Sequence, residues 1–137
     1  MNQFLNNDNA GKLILRLTLG VLMLFHGVAK LQNPGSVEFI AGNLASAGWP
    51  SFLAYGVFIG EVLAPVLIVL GIFTRYSAMV IIINMLFAVF LVHYGDLMSL
   101  TQHGGWRLEL QGFYLFVAMA VVFFGSGKYA VKPDQVY

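Results

Sequence analysis

The sequence predicts an all-α integral membrane protein in which four helices form an antiparallel bundle and a short helix lies at the membrane surface. The composition is the first observation: 59% of the 137 residues are hydrophobic, only 9% are charged, and the mean hydropathy is +0.81. Soluble domains are about 45–50% apolar and about 25% charged. The second observation is a set of four apolar segments, each close to the roughly 20 residues that a helix needs to cross a bilayer.

The four predicted spans cover residues 12–31, 51–73, 76–94 and 108–124. Each must be a helix, because in lipid only a helix satisfies all of its backbone groups within one segment. Thr74 and Arg75 alone separate the second span from the third, so these two helices are expected to be direct neighbours. The length of the chain allows one domain, and we expect a single membrane domain over residues 1–137.

The connection between the first two spans has a helical pattern of its own. Its apolar residues recur at helical intervals, and they are Val37, Ile40, Leu44 and Ala47. Gly48 and Pro50 follow, so we predict a short interfacial helix that ends before this glycine. The small residues Ala45–Ala47 resemble a signal-peptide cleavage site but lie too far beyond the first apolar run, and we expect no cleavage there.

Basic residues predict the orientation in the membrane. With the N-terminus in the cytoplasm, only Lys30 and Arg107 lie on the outer side, and five basic residues lie inside: Lys12, Arg16, Arg75, Lys128 and Lys132. An excess of basic residues marks the cytoplasmic side. We therefore expect a multi-pass protein with both termini in the cytoplasm.

Glu61 is the ionisable residue that lies deepest in an apolar span. At such a depth an ionisable side chain costs roughly 2.5–3.5 kcal/mol on insertion scales. Pro65 has no N–H to bond with the carbonyl group of Glu61. Gly56, Gly60 and Ala64 repeat every four residues beside it and allow another helix to approach closely. Glu61 is therefore predicted to face the interior of the bundle.

Five ionisable residues are expected in the outer half of the bundle, where they can line one polar pocket. His26 and Lys30 lie one turn apart on the same face of the first span. His93 ends the third span and Glu109 begins the fourth, and with Glu61 they complete our set of candidate ligand-binding residues. Two alternatives stay open: Lys30 can extend to the interface, and His93 and Glu109 can be ordinary interfacial residues in water.

Two other polar residues in the apolar spans are interpreted as packing residues. Asn84 lies nine positions before His93, about 180° away on an ideal helix, so at most one of them is expected to join the pocket. Asn84 is predicted to hold helices together. A second set forms one stripe along the first span and is predicted to be a packing seam, with the guanidinium group directed to the cytoplasmic side: Arg16, Gly20, Met23, Gly27 and Lys30.

Several classes of site are not supported by the sequence. The formal net charge of +1, without a basic segment, gives no indication of nucleic-acid binding. The absence of cysteine excludes disulfides, thiolate nucleophiles and iron–sulfur ligation by the chain. His26, His93 and His103 lack the spacing of ligand pairs such as H-E-x-x-H, so no metal site is predicted. We assign no catalytic residue from the sequence.

Motifs over nearly the whole chain resemble the DoxX family of small bacterial membrane proteins with four spans. They are FHGVAKL at Phe25–Leu31, GWP at Gly48–Pro50 and GEVLAPVLIVLGIFTR at Gly60–Arg75. The resemblance implies a four-helix fold in a bacterial plasma membrane. It also marks four motif positions, which are His26, Lys30, Glu61 and Arg75. Some members of the family are small subunits of thiosulfate–quinone oxidoreductases, and others are associated with quinones or oxidative stress.

Three functions remain open from the sequence, all with the lipid bilayer as a partner. The first is a quinone-linked redox subunit, or a binder of a small lipophilic quinone-like molecule. In that case His26 or Lys30 would donate a hydrogen bond to a carbonyl oxygen, Glu61 would pass a proton, and a redox-protein partner would supply electrons. The second is a non-catalytic assembly or accessory subunit of a membrane complex. The third is a proton-coupled transporter of small molecules, for which a four-span chain would need to form a homo-oligomer.

Overall fold

A computed structural model describes residues 5–135, and these residues form five helices. We name them α1 to α5 in chain order: Asp8–Gln32, Pro34–Ser46, Ser51–Leu70, Thr74–Val92 and Glu109–Phe124. The first six residues of α3 form a 3-10 helix, and α3 and α4 each contain one π-helical turn. An isolated backbone bridge joins Leu100 to Trp106. The prediction of an all-α protein is confirmed for the described residues.

Three of the helices are long and apolar enough to cross a membrane. They are α1, α3 and α4, with 25, 20 and 19 residues. The apolar helix α5 has 16 residues, which correspond to about 24 Å against a hydrocarbon core of about 30 Å. The prediction of apolar membrane helices is therefore confirmed, whereas a crossing by α5, and with it the four-span bundle, stays a prediction.

The core lies where α1, α3, α4 and α5 meet. Helix α1 packs against α3 and α5, and helix α4 also packs against α3 and α5. The buried apolar residues of this core are Leu19, Met23, Ala64, Ile68, Ala78, Ile81, Met85, Tyr114, Ala118 and Val121. The outward faces carry large apolar side chains that stay exposed, such as Phe25 at 69% and Phe113 at 73%. An apolar exterior around an apolar core is the surface that contact with lipid requires.

Glycines allow α1, α3 and α4 to approach one another closely. A Cβ atom at Gly20 would lie 2.6 Å from the Cγ2 atom of Val69, and one at Gly27 would collide with the backbone carbonyl oxygen of Glu61. A Cβ atom at Gly60 would lie 2.6 Å from the Cβ atom of Asn84. Since both close contacts of α1 are with α3, the predicted packing seam on the first span is confirmed.

The helix α3 ends three residues earlier than predicted. Gly71 adopts a φ of +74°, a left-handed conformation that glycine tolerates without a Cβ clash. The N–H groups of Gly71 and Ile72 donate to the carbonyl oxygens of Ile68 and Leu67, which is the hydrogen-bond pattern of a Schellman motif. The apolar run continues through this turn, and for that reason hydropathy alone placed the end of the span at residue 73.

The helix α2 covers the start of α3 and the end of α4. Val37 and Leu44 on α2 are buried together with Ala54 on α3. The predicted apolar face is therefore confirmed. The helix begins at Pro34, three residues before Val37, where the predicted helical pattern starts, because proline suits the first turn of a helix. It ends before Gly48, which has a φ of +80°, as predicted.

A C-terminal strap, residues 125–135, folds back across the ends of α1, α3 and α4. The N–H groups of Val131 and Lys132 donate to the carbonyl oxygens of Leu70 and Gly71. The N–H of Ser126 donates to the Oδ2 atom of Asp134 at 3.0 Å. Arg75, at the start of α4, lies 3.7 Å from this same carboxylate oxygen. The strap therefore covers the end of the helices that is opposite to α2.

Arg16 of α1 anchors the strap. Its guanidinium group donates to the carbonyl oxygens of Ser126 at 3.0 Å and Tyr129 at 2.8 Å, and the residue is 1% exposed. The guanidinium was predicted to be directed to the cytoplasmic side, which stays a prediction; the structure adds that the strap brings backbone acceptors to the group and shields it from solvent. The two bonds to backbone carbonyls offset part of the cost of burying this charged group, while its Nε atom has no hydrogen-bond partner among the described residues.

Replacing Arg16 is expected to release the strap. Arg16→Met retains an apolar stem but leaves a buried carbonyl oxygen at Ser126 and a partly buried one at Tyr129 without these donors, and hydrogen bonds to charged groups contribute about 2 kcal/mol. We expect faster proteolysis within residues 125–135 of the purified protein, measured by mass spectrometry. Arg107→Met is the matched control, because Arg107 is an exposed arginine in the α4–α5 loop. Equal cleavage rates in the two variants would contradict the anchoring role.

Candidate functional site

Glu61 lies in the π-helical turn Ile59–Leu63 within α3. Pro65 has no N–H group for the carbonyl of Glu61, and the N–H of Ala64 bonds to the carbonyl of Ile59, five residues back. Such π turns inside α-helices are frequent at functional sites. Glu61 is only 5% exposed, which confirms the prediction that it faces the interior of the protein.

Both carboxylate oxygens of Glu61 have partners, each from a different helix. The Nζ atom of Lys30, at the end of α1, lies 2.6 Å from Oε2. The Nδ2 atom of Asn84, in the middle of α4, donates to Oε1 at 3.2 Å. Of the two placements left open for Lys30, the structure therefore has the inward one, with the ammonium group paired rather than extended to the interface. The predicted role of Asn84 in joining helices is confirmed by its bond from α4 to α3.

A cavity of about 800 Å³ opens beside this network, and we call it the Glu61 cavity. It lies between α2, α3 and α4. Its polar lining residues are Lys30, Asn33, Ser36, Glu61, Asn84 and His93. Most of the wall is apolar and includes Phe39, Leu53, Ile83, Phe87 and Leu91. An apolar cavity with a few grouped polar side chains is the usual form of a small-molecule site.

The structure brings both Asn84 and His93 to the Glu61 cavity, so the prediction that at most one of them could join the pocket was wrong. The prediction assumed an ideal α-helix, but a π-helical turn spans Ala88–Val92 between them. Residues in a π turn advance by a smaller angle than those in an α-helix, because hydrogen bonds run to the fifth residue instead of the fourth. The turn thus rotates His93 back toward the face that carries Asn84.

His93 also faces an ion pair in the α4–α5 loop. Its Nδ1 atom lies 3.8 Å from the Oδ2 atom of Asp96, and the other oxygen of Asp96 lies 3.3 Å from the guanidinium of Arg107. All three side chains are partly or largely exposed. His93 is therefore the residue through which the Glu61 cavity meets the polar loop.

His26 and Glu109 do not line the Glu61 cavity, among the residues that the structure describes. The imidazole ring of His26 packs edge-to-face against Tyr114 of α5, with ring centroids 5.6 Å apart. Glu109 is exposed beside Gly105 at the start of α5, which agrees with the alternative of an interfacial residue in water. Of the five candidates, Lys30, Glu61 and His93 share one cavity, and a binding role for each remains a prediction.

Two contributors near the site were absent from the candidate set. Asn84 was interpreted only as a packing residue, although a polar side chain in the middle of an apolar span is a signal for an intramembrane site. Tyr114 was not considered; it is 8% exposed and lies within electrostatic reach of the Glu61 carboxylate. Its hydroxyl group within the last apolar segment was the only sequence signal.

The network retains hydrogen-bonding capacity for a ligand. An ammonium group has three donors, and a primary amide has two donors and one acceptor. Lys30 uses one donor on Glu61 and Asn84 uses another. A ligand carbonyl in the cavity can therefore accept a hydrogen bond while the ion pair stays intact. Glu61 provides a carboxylate that can take up or release a proton beside it.

Comparisons with known proteins find one matching family model and two similar bacterial proteins. A model of the DoxX family matches residues 11–94. An uncharacterized protein of Haemophilus influenzae is 32% identical over 121 residues, which cover 85% of this chain and 84% of that protein. A Bacillus subtilis protein named "Putative oxidoreductase CatD" is 35% identical over 83 residues, which cover 60% of this chain and 54% of that protein. No solved structure matches the chain. Residues 11–94 include Lys30, Glu61, Asn84 and His93.

Proposed function

Because this chain belongs to the DoxX family, we propose that it is a bacterial membrane protein that binds a small lipophilic quinone-like molecule in the Glu61 cavity. The observation that carries the proposal is the Lys30–Glu61–Asn84 network at the edge of a largely apolar cavity. The proposal includes four spans with both termini in the cytoplasm of a plasma-membrane protein, so that the Glu61 cavity lies in the outer half of the bilayer.

The chemistry of the cavity suits a flat molecule with carbonyl groups. The side chains of Phe39 and Phe87 offer aromatic surfaces to an apolar ring, and Lys30 and Asn84 have free donors for a carbonyl oxygen. Reduction of a quinone to a quinol consumes two electrons and two protons. Glu61 is the residue placed to deliver a proton at the ring, and His93 connects the cavity with the polar loop.

Electrons must come from a partner under this proposal. The chain has no cysteine, and therefore no thiol or iron–sulfur ligand of its own. We propose a quinone-linked redox system in which this chain supplies the quinone site and a redox protein supplies electrons. The name of the Bacillus subtilis relative, with its reference to an oxidoreductase, supports this direction, and that match spans about half of the relative.

A second candidate function is that of a non-catalytic assembly subunit. The same network favours it, because Lys30, Glu61 and Asn84 join three helices and can fix their arrangement without any ligand. This hypothesis requires a stoichiometric partner after mild solubilisation, whereas the quinone-binding hypothesis requires a saturable ligand. A transporter has less support, since the strap covers one end of α1, α3 and α4.

The proposed function is tested by direct binding of a benzoquinone to the purified protein. Trp49 packs against Phe87 in the cavity wall, with ring centroids 6.1 Å apart. In a Trp106→Phe background Trp49 is the single tryptophan, so quenching of its fluorescence reports binding there. We expect Glu61→Gln to weaken binding by about tenfold, because Lys30 loses the anion that holds its ammonium group at the cavity and the quinone loses the charge-assisted hydrogen bond from that group. Glu109→Gln is the matched control and should leave the affinity within about twofold, because Glu109 is exposed outside the cavity.

Two results would contradict the proposed function. One is the absence of saturable quenching in the wild-type protein, which would favour the assembly hypothesis. The other is an equal effect of Glu61→Gln and Glu109→Gln, which would remove the Glu61 cavity as the site.

A further inference from the structure

One face of α4 forms a continuous lining from one end of the helix to the other. The residues on it recur at three- and four-residue intervals, as expected for a single helical face; they are Tyr76, Ser77, Val80, Ile83, Asn84, Phe87, Ala88 and Leu91. Those from Val80 onward line the Glu61 cavity. Those from Tyr76 to Val80, together with Phe73 just before the helix, line a second cavity.

The second cavity, which we call the α3–α4 groove, has a volume of about 400 Å³. Ala64 and Ser77 are buried and form its floor, at 2% and 4% exposure. Larger side chains form its sides: Leu63, Leu67, Phe73 and Tyr76. Small residues on the floor and large residues on the sides leave a furrow between the two helices.

The α3–α4 groove is continuous with the Glu61 cavity. Ile59 and Val80 line both of them, so the end of the groove is the wall of the cavity. From Glu61 to Leu67, the groove residue farthest along α3, the distance is six residues, about 9 Å at the rise of an α-helix. The combined space therefore has a polar part at one end and a largely apolar extension at the other.

We propose that the α3–α4 groove holds the hydrocarbon tail of the molecule whose carbonyl-bearing ring lies in the Glu61 cavity. This inference rests on the proposed function and narrows the ligand class to tailed quinones, in place of short water-soluble ones. The occupant follows from the chemistry of the two parts. Lys30, Glu61 and Asn84 recognise a polar head, and the groove has no charged lining residue among those that the structure describes, its polar groups being the hydroxyls of Tyr76 and Ser77.

Exposed side chains at the sides of the groove point to lateral entry from the bilayer. Ile59, Leu63 and Phe73 are 53%, 54% and 54% exposed, so the furrow is open along its length to the surroundings of α3 and α4. A tailed molecule dissolved in the membrane can then place its tail in the furrow while its ring enters the Glu61 cavity past Ile59 and Val80.

The experiment compares two probes that share one ring, 2,3-dimethoxy-5-methyl-1,4-benzoquinone without a tail and its derivative with a ten-carbon tail. Their affinities for the full chain in detergent micelles are measured by quenching of Trp49 in the Trp106→Phe background. Two variants fill the groove, Leu67→Phe at its side and Ser77→Leu on its floor. Leu70→Phe is the matched control, because Leu70 is on the same helix, is 43% exposed and lies outside the residues that line either cavity.

We expect both groove variants to weaken binding of the tailed probe by about tenfold, as loss of a few buried methylene contacts predicts. Binding of the tail-less probe should stay within about twofold, and Leu70→Phe should change neither affinity. Because the control variant experiences the same partitioning of the tail into the micelle, the comparison isolates the groove. A variant that unfolds is recognised because it no longer binds the tail-less probe. In that case the inference is tested with the other groove variant.

Two outcomes would overturn the inference, and they are distinguishable. If the tail-less probe binds but neither groove variant weakens the tailed probe, ordinary lipid acyl chains occupy the groove and the proposed quinone site stands alone. If neither probe binds to the wild-type protein, the proposed function fails and the tail site fails with it.

Discussion

Lys30→Met is expected to destabilise the protein by about 3–5 kcal/mol, the cost of removing one partner from a buried ion pair. The variant leaves the Glu61 carboxylate with the Asn84 amide alone, in a residue that is 5% exposed. That carboxylate must then either stay charged without a cation or bind a proton. The measurement is equilibrium unfolding in mixed micelles, followed by circular dichroism at a fixed pH.

The opposite single substitution should cost less. In Glu61→Gln the ammonium group of Lys30 loses its anion, but its side chain is 23% exposed and its long stem can extend toward the interface. We expect a loss of about 1–2 kcal/mol. The asymmetry follows from geometry, since the glutamate is held in the middle of α3 and the lysine lies in the last turn of α1.

The double variant Lys30→Met, Glu61→Leu separates the ion pair from the packing around it. Replacement of a buried pair by apolar residues of similar size is often close to neutral. We therefore expect the double variant to recover at least half of the stability that Lys30→Met loses. The single variants Lys30→Met and Glu61→Leu are measured beside the double variant. If the stability loss of the double variant equals the sum of the two single losses, Lys30 and Glu61 do not act as a pair, and the network described for the site is contradicted.

Gly27→Ala is expected to cost about 3 kcal/mol, at the upper end of the range for overpacking in a well-packed core. The added Cβ atom would collide with the carbonyl oxygen of Glu61. A backbone atom cannot turn aside as a flexible side chain can, so α1 and α3 must separate. Separation would also lengthen the Lys30–Glu61 contact, and weaker quinone binding should accompany the loss of stability.

Gly11→Ala is the matched control in the same helix. A Cβ atom at Gly11 would meet nothing within 4 Å, and alanine favours a helix over glycine by about 0.5–1 kcal/mol. We therefore expect the free energy of unfolding to rise slightly in Gly11→Ala and to fall strongly in Gly27→Ala. Similar effects of the two substitutions on the unfolding free energy would contradict the close approach of α1 and α3.

Local sequence information was enough to place most of the helices. The apolar segments placed α1, α4 and α5 within a few residues, because the hydropathy of a span depends only on its own composition. The end of α3 differed by three residues, since Gly71 stops the helix inside an apolar run through its backbone conformation. The predicted angle between His93 and Asn84 around α4 was wrong for a related reason. The π turn at Ala88–Val92 changes that angle, and hydropathy does not reveal such a turn.

The candidate site was predicted in part. Lys30 and Glu61 were recognised because an ionisable residue in an apolar span is costly wherever it lies, and the structure pairs them. His26 and Glu109 were assigned to the same pocket from their depth in the spans alone. Depth does not determine the direction of a side chain around the bundle, and the structure places His26 against Tyr114 instead.

The chain by itself determined a membrane-compatible helical protein, the burial of Glu61 and the seam of glycines on α1. These follow from solvation and helical geometry, which act over a few residues at a time. Only the tertiary structure decided that Asn84 completes the Glu61 network, that α2 encloses the cavity, and that Arg16 holds the strap through carbonyls more than one hundred residues away. Such contacts depend on how helices rotate against one another and where the chain folds back, which no local pattern encodes.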